Sequence, residues 1–127
     1  MAGMETDRSF LESKTSSIFS FDRSIRFVVL LTSDGKPVMS VGRAGVTSLE
    51  PQSESDTVYV KASIAMNMSA PMNKYFGPLR TVVLIREKVM IICFSLAGRI
   101  MLISADPAFQ LQKVEPLGRL IDELNIS

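Results

Sequence analysis

Apolar side chains along this chain alternate between short, dense runs and longer stretches with helical spacing. Residues 6–19 place Phe10, Leu11, Ile18 and Phe19 at loosely helical intervals among charged and hydroxyl residues, which predicts a helix capped by Thr6 or Asp7. Residues 25–31 read Ile-Arg-Phe-Val-Val-Leu-Leu, a β-branched and aromatic run that predicts a strand. Ser33, Asp34, Gly35 and Lys36 follow, and an Asp-Gly pair between two apolar runs is a strong hairpin signal. The turn is assigned to Asp34 and Gly35, with Gly35 at positive φ in a type I′ turn or a bulged variant. The return strand, residues 37–41, opens on Pro37, so it belongs at a sheet edge or begins there.

Residues 42–56 hold Gly42, Gly45, Pro51 and three serines and read as a long connection. A second helix is predicted over 56–76, capped by Ser55 or Asp56. One stripe along it carries Val58, Ala62, Ala65, Ser69, Met72 and Phe76, and a bulkier one carries Ile64, Met68, Met72 and Tyr75. Pro71 should kink this helix or start a new turn, and Gly77-Pro78 should end it. Met66 and Met68 lie about 200° apart on a helix of 3.6 residues per turn, so one narrow buried face cannot hold both. Some of this apolar surface is expected to meet another chain.

Three strands follow at 79–86, 89–95 and 99–104, the last two joined by Leu96-Ala97-Gly98. The junction Arg86-Glu87-Lys88 lacks turn residues. A final helix runs from residue 108 or 111 to 124 with Leu111, Val114, Leu117, Leu120, Ile121 and Leu124, and Pro116 suggests a start near itself. Residues 27–31, 82–85 and 89–94 are apolar on both faces, so the sheet they form must be covered on both sides. The expected class is α/β (α+β): a three-layer α/β/α sandwich on one five-stranded, mainly antiparallel sheet, in a single domain over 1–127.

Composition narrows the chemistry. With 46% hydrophobic and 21% charged residues, the chain is ordinary globular material. A net charge of +1 offers no field to hold nucleic acid or an anionic membrane. The chain has no His, no Trp and a single Cys, which removes catalytic triads, His-ligated zinc and imidazole acid–base sites. Gly42-Arg43-Ala44-Gly45 lacks the Lys and hydroxyl of a phosphate loop and reads as a structural turn. Asp22, Arg23 and Arg26 read as solvated charges at a strand entry, and Glu50 and Glu54 lie in a loop too loose for acid–base work. Cys93, among aliphatic and aromatic neighbours, reads as packing. No catalytic, cofactor or metal residue is assigned.

The apolar stretch from Val82 to Leu96 is interrupted by Arg86-Glu87-Lys88 and is shorter than the about 20 residues a membrane helix needs. The polar, acidic residues 1–7, glycine at position 3 and the end Leu124-Asn125-Ile126-Ser127 match no signal peptide or lipidation pattern. The expectation is a cytoplasmic protein without membrane insertion.

The order helix–strand–strand–helix–strand–strand–strand–helix resembles the roadblock/LC7 domain of the roadblock/longin/profilin-like superfamily. The resemblance rests on Phe27-Val28-Val29-Leu30-Leu31-Thr32-Ser33-Asp34-Gly35-Lys36-Pro37-Val38, on the small residues around Ala62 and Ala65, and on the strands after Gly77. In character the chain looks like an archaeal offshoot. The resemblance implies a module without catalysis or cofactor that dimerises and scaffolds or regulates small GTPases, motors and signalling complexes. It also implies that the strand at 79–85 lies at a sheet edge. A homodimer interface is therefore expected over Ala65, Met66, Ser69 and Met72 with Thr81, Val82, Val83, Leu84 and Ile85. The alternative, a small-molecule sensor of PAS or GAF type, wants convergent polar groups in an apolar pocket, and the strands offer almost none facing inward.

Overall fold

The computed structural model describes residues 13–126. The predicted caps Thr6 and Asp7, with Phe10 and Leu11, lie outside the described residues. The first helix, α1, occupies residues 13–21. The apolar run after it becomes β1 (Ile25–Thr32), which turns back into β2 (Pro37–Gly42). The remaining strands are β3 (Thr81–Ile85), β4 (Met90–Leu96) and β5 (Arg99–Ala105). All pair antiparallel in the order β2-β1-β5-β4-β3. β1, β5 and β4 therefore sit inside the sheet, and their side chains are apolar on both faces because both faces are covered.

The second helix is interrupted as Pro71 requires. α2 (Ser55–Asn67) gives way to a 3₁₀ turn (Ala70–Met72) and a single helical turn, α3 (Asn73–Phe76), and Gly77 at φ 81° ends the segment. α4 (Val114–Leu124) follows a 3₁₀ turn at Leu111–Lys113. Pro116 falls in its first turn, where a backbone N–H has no helical partner to lose.

These helices cover the sheet on both sides. Ile18 of α1 and Leu117 and Ile121 of α4 pack with Val28, Leu30, Ile92, Met101 and Ile103. On the opposite face Ala62 and Met66 of α2 pack with Val29, Leu31, Cys93, Ile100 and Leu102. Successive β1 residues thus enter opposite cores, and the three-layer sandwich is the result.

Two turns set the position of α2 and of the free sheet edge. In the β1–β2 hairpin the Gly35 amide donates to Thr32 O at 3.0 Å and the Thr32 amide to Lys36 O at 2.8 Å. Gly35 stands at φ 89°, and the ladder shifts by one between Leu30 and Leu31. This is the bulged form of the expected turn. A Cβ on Gly35 would lie 2.9 Å from Tyr59 O and 3.0 Å from the Val60 Cα; glycine here also lets α2 rest on the hairpin. The β3–β4 hairpin closes across Glu87 and Lys88, with the Arg86 amide donating to Val89 O at 3.0 Å. It needs no glycine.

Candidate interaction surface

β3 is the last strand of the sheet, as the resemblance implied. Its side toward β4 is fixed by two hydrogen bonds: Ser95 donates to Arg80 O at 2.8 Å, and Arg86 donates to Val89 O. Antiparallel ladders alternate, so the even-numbered residues 80 to 86 bond to β4. The amides and carbonyls of Thr81, Val83 and Ile85 therefore point out of the sheet edge. No charge, proline or glycine interrupts residues 81–85. Val82 packs toward the α2 layer and Val83 toward the α4 layer. Leu84 is 40% exposed and Ile85 66%.

The outer side of α2 and α3 adds apolar surface. Ile64, Met72 and Tyr75 are exposed, Met68 is 76% exposed and Phe76 80%. Ala65 is half-buried and Ser69 exposed. Met66 is a correction: expected at the interface, it is only 8% exposed and packs against the sheet. It follows Tyr59 and Ala62 at steps of seven and four residues, hence the same helix face. The bulkier stripe of Ile64, Met68, Met72 and Tyr75 faces outward, while the other runs inward only as far as Ala65. Met72 and Phe76 of that second stripe leave the core because the break at Pro71 resets the helical phase. The signal for Ile64 and Met68 was already present in the 200° separation of Met66 from Met68.

A groove of about 530 Å³ lies between the sheet and the N-terminal end of α2. Val29, Tyr59, Ile91 and Leu102 are among its apolar lining, with Glu50, Arg86, Glu87 and Lys88 among its charges. Among the described residues no buried side-chain nitrogen or oxygen lacks a hydrogen-bond partner, so no orphaned polar group points into it.

The other charged candidates serve the fold. Asp22 accepts from Lys113 at 2.8 Å and from the Ser24 amide and hydroxyl at 2.8 and 2.6 Å. Partial burial works against its ionised form, but these donors outweigh it and hold its pKa down at about 2. Arg26 pairs with Asp106 at 3.1 Å and donates to Thr47 O. Arg43 donates to the carbonyls of Ile25, Phe19 and Asp22 and stacks over the Phe19 ring at 5.1 Å. The Gly42–Gly45 segment is thus a structural staple for the end of α1, a role that short-range pattern does not reveal. Cys93 is buried, and that burial pushes its thiol up to about 11. Among the described residues, no group of three or more Cys, Asp and Glu could hold a metal ion, and no helix is long and apolar enough to cross a membrane.

No family model and no curated protein matches this chain. Solved structures do. The gliding protein MglB from Thermus thermophilus superposes with a TM-score of 0.78 at 13% identity, over 94% of this chain and 90% of its own. A Roadblock/LC7 domain from Streptomyces avermitilis gives 0.64 at 20% identity, over 86% of each chain. Profilin II from Acanthamoeba castellanii gives 0.53 at 13% identity, over 80% of this chain and 86% of its own. Sheet order, the two helical layers and these likenesses agree: the chain has the roadblock/LC7 fold, a relative of the profilin fold.

Proposed function

We propose that this chain is a non-catalytic, cytoplasmic interaction module of roadblock type. It acts as a homodimer that holds or regulates a small GTPase or another signalling protein. The carrying observation is the β3 edge, whose outward amides and carbonyls at Thr81, Val83 and Ile85 have no guard against a second chain among the described residues. A copy of β3 laid antiparallel along it satisfies those groups and joins two five-stranded sheets into one of about ten strands. α2 contacts β3, and Ala65, Ser69 and Met72 of the helical segment then approach their mates, where small and flexible side chains allow close contact. The likeness to a gliding protein and to a Roadblock/LC7 domain supports a protein-binding role over a sensor.

Light scattering on a sizing column at micromolar concentration tests the dimer. The unmutated chain should weigh twice its 14.0 kDa. Leu84→Lys, at a half-exposed position the monomer tolerates, should give a folded monomer because the two-fold axis brings in both charges. A monodisperse monomer for the unmutated chain refutes the dimer. Immobilised protein should then capture a small GTPase or signalling scaffold identifiable by mass spectrometry. If native mass spectrometry instead finds a stoichiometric metabolite and no protein, the sensor reading replaces this one.

A further inference from the structure

We infer that two copies of β3 pair with Val83 on the two-fold axis, and that this register sets Arg80 of each chain directly against Arg86 of the other. The inference rests on the dimer proposed above and fixes what that dimer must look like. Only the residues whose amides and carbonyls face out of the edge, Thr81, Val83 and Ile85, can form the hydrogen-bonded pairs with the second copy. A two-fold axis perpendicular to the sheet keeps each side chain on its own face, so a residue pairs only with one an even number of positions away. The axis then passes through Val82, Val83 or Leu84.

The three registers differ in what they cover. With Val82 on the axis, Ile85 lies opposite Leu79, which precedes the strand and packs into the α2 layer. The exposed Ile85 is then left without a strand partner. With Leu84 on the axis, Val82 faces Arg86 and Thr81 faces Glu87, burying charge against apolar surface. With Val83 on the axis all five strand residues are paired: Thr81 with Ile85, Val82 with Leu84, and Val83 with itself. This register alone sets every residue of the strand, the exposed Leu84 and Ile85 included, against another strand residue and leaves no charged side chain opposite an apolar one.

The same register has a cost at each end. Arg80 and Arg86 bond to β4 and so form a non-hydrogen-bonded pair across the new interface, the type with the closest side chains. Both are exposed, on the α2 face of the edge. Glu50 and Glu87 line the groove with Arg86, yet neither pairs with it among the described residues. Two like-charged pairs thus oppose each association event. Assembly should strengthen wherever those charges are screened or matched by acidic groups.

Sedimentation equilibrium and single-cysteine cross-linking test this. Arg80→Glu creates two cross-chain ion pairs and should tighten the dimer at least threefold at low salt. Arg80→Glu/Arg86→Glu restores repulsion and should return affinity to the original value or below. Raising sodium chloride from roughly 20 to 200 mM, which shortens the screening length severalfold, should tighten the unmutated dimer and loosen the Arg80→Glu dimer. Under mild oxidation Val83→Cys should form a disulfide dimer, whereas Val82→Cys and Leu84→Cys should not, since only the residue on the axis meets its own copy. Dominant cross-linking at 82 or 84, or an Arg80→Glu dimer no tighter than the original, overturns the register and leaves the dimer standing. A dimer that cross-links at none of the three overturns pairing through β3. An unmutated chain that stays monomeric refutes the underlying dimer instead.

Discussion

Gly35 offers a test in which two physical effects separate. At φ 89° it occupies the left-handed region, where a side chain costs about 1–2 kcal/mol. Its missing Cβ is also the reason α2 can approach, since the ideal Cβ position lies 2.9 Å from Tyr59 O and 3.0 Å from both Ser63 Oγ and the Val60 Cα. Two of those three are backbone atoms, which cannot swing aside, so the helix must shift, adding about 1–3 kcal/mol of overpacking. Gly45 provides the matching control: its φ is 81°, but nothing lies within 4 Å of its Cβ position. Gly45→Ala should therefore lose about 1 kcal/mol and Gly35→Ala about 2–4 kcal/mol. With a urea slope of about 2 kcal/mol/M, the Gly35→Ala midpoint should fall by roughly 1–2 M. Both variants must be compared at one protein concentration, because association adds to apparent stability. Equal losses at the two glycines would refute the claim that α2 is seated on the hairpin through Gly35.

Met66 and Met68 should respond oppositely to truncation. Met66→Ala opens a cavity in the α2 layer and should cost about 2–4 kcal/mol in urea unfolding. Met68→Ala, at a largely solvent-exposed position, should change stability by less than about 0.5 kcal/mol. Asp22 should govern part of the acid response. Its folded pKa is lowered from 3.8 to about 2, so its contribution is present above about pH 4 and is lost as pH falls through about 2. Asp22→Asn should lower stability near neutrality by about 1 kcal/mol after solvent screening and flatten the loss between about pH 4 and 2. An unchanged acid profile by circular dichroism would show that Lys113 and Ser24 do not hold this carboxylate.

The strands were legible because their determinants are local. A β-branched run, an Asp-Gly pair and a proline each act within a few residues, and β1, Gly35 and the break at Pro71 came out as those rules require. The phase of the second helix beyond Pro71 was not legible. A 3₁₀ turn advances each residue by a different angle from an α-helix, so Phe76, in step with Ala62 on paper, ends up largely in solvent. The β3–β4 turn lacks signal residues because ladder pairing on both sides, not turn propensity, closes it. Arg43 was opaque for another reason. Its three carbonyl partners lie 18 to 24 positions earlier in the chain, and no periodic pattern encodes a contact at that separation.

In the proposed dimer, the difference between the two sheet edges gives a physical reason for association through β3 to stop at two copies. β2 begins at Pro37, which cannot donate, follows a bulged turn with Lys36 beside it, and exposes polar Ser40. These are the devices by which natural edges resist pairing. β3 has none of them over residues 81–85. A β3 edge placed on a β2 edge would leave a free β3 at the end of every growing chain and build an open filament. β3 on β3 uses the same patch twice, and the joined sheet then ends in a guarded β2 on each side. If the proposed β3 pairing holds, one guarded edge and one unguarded edge in each chain are enough to close the assembly at a two-fold dimer.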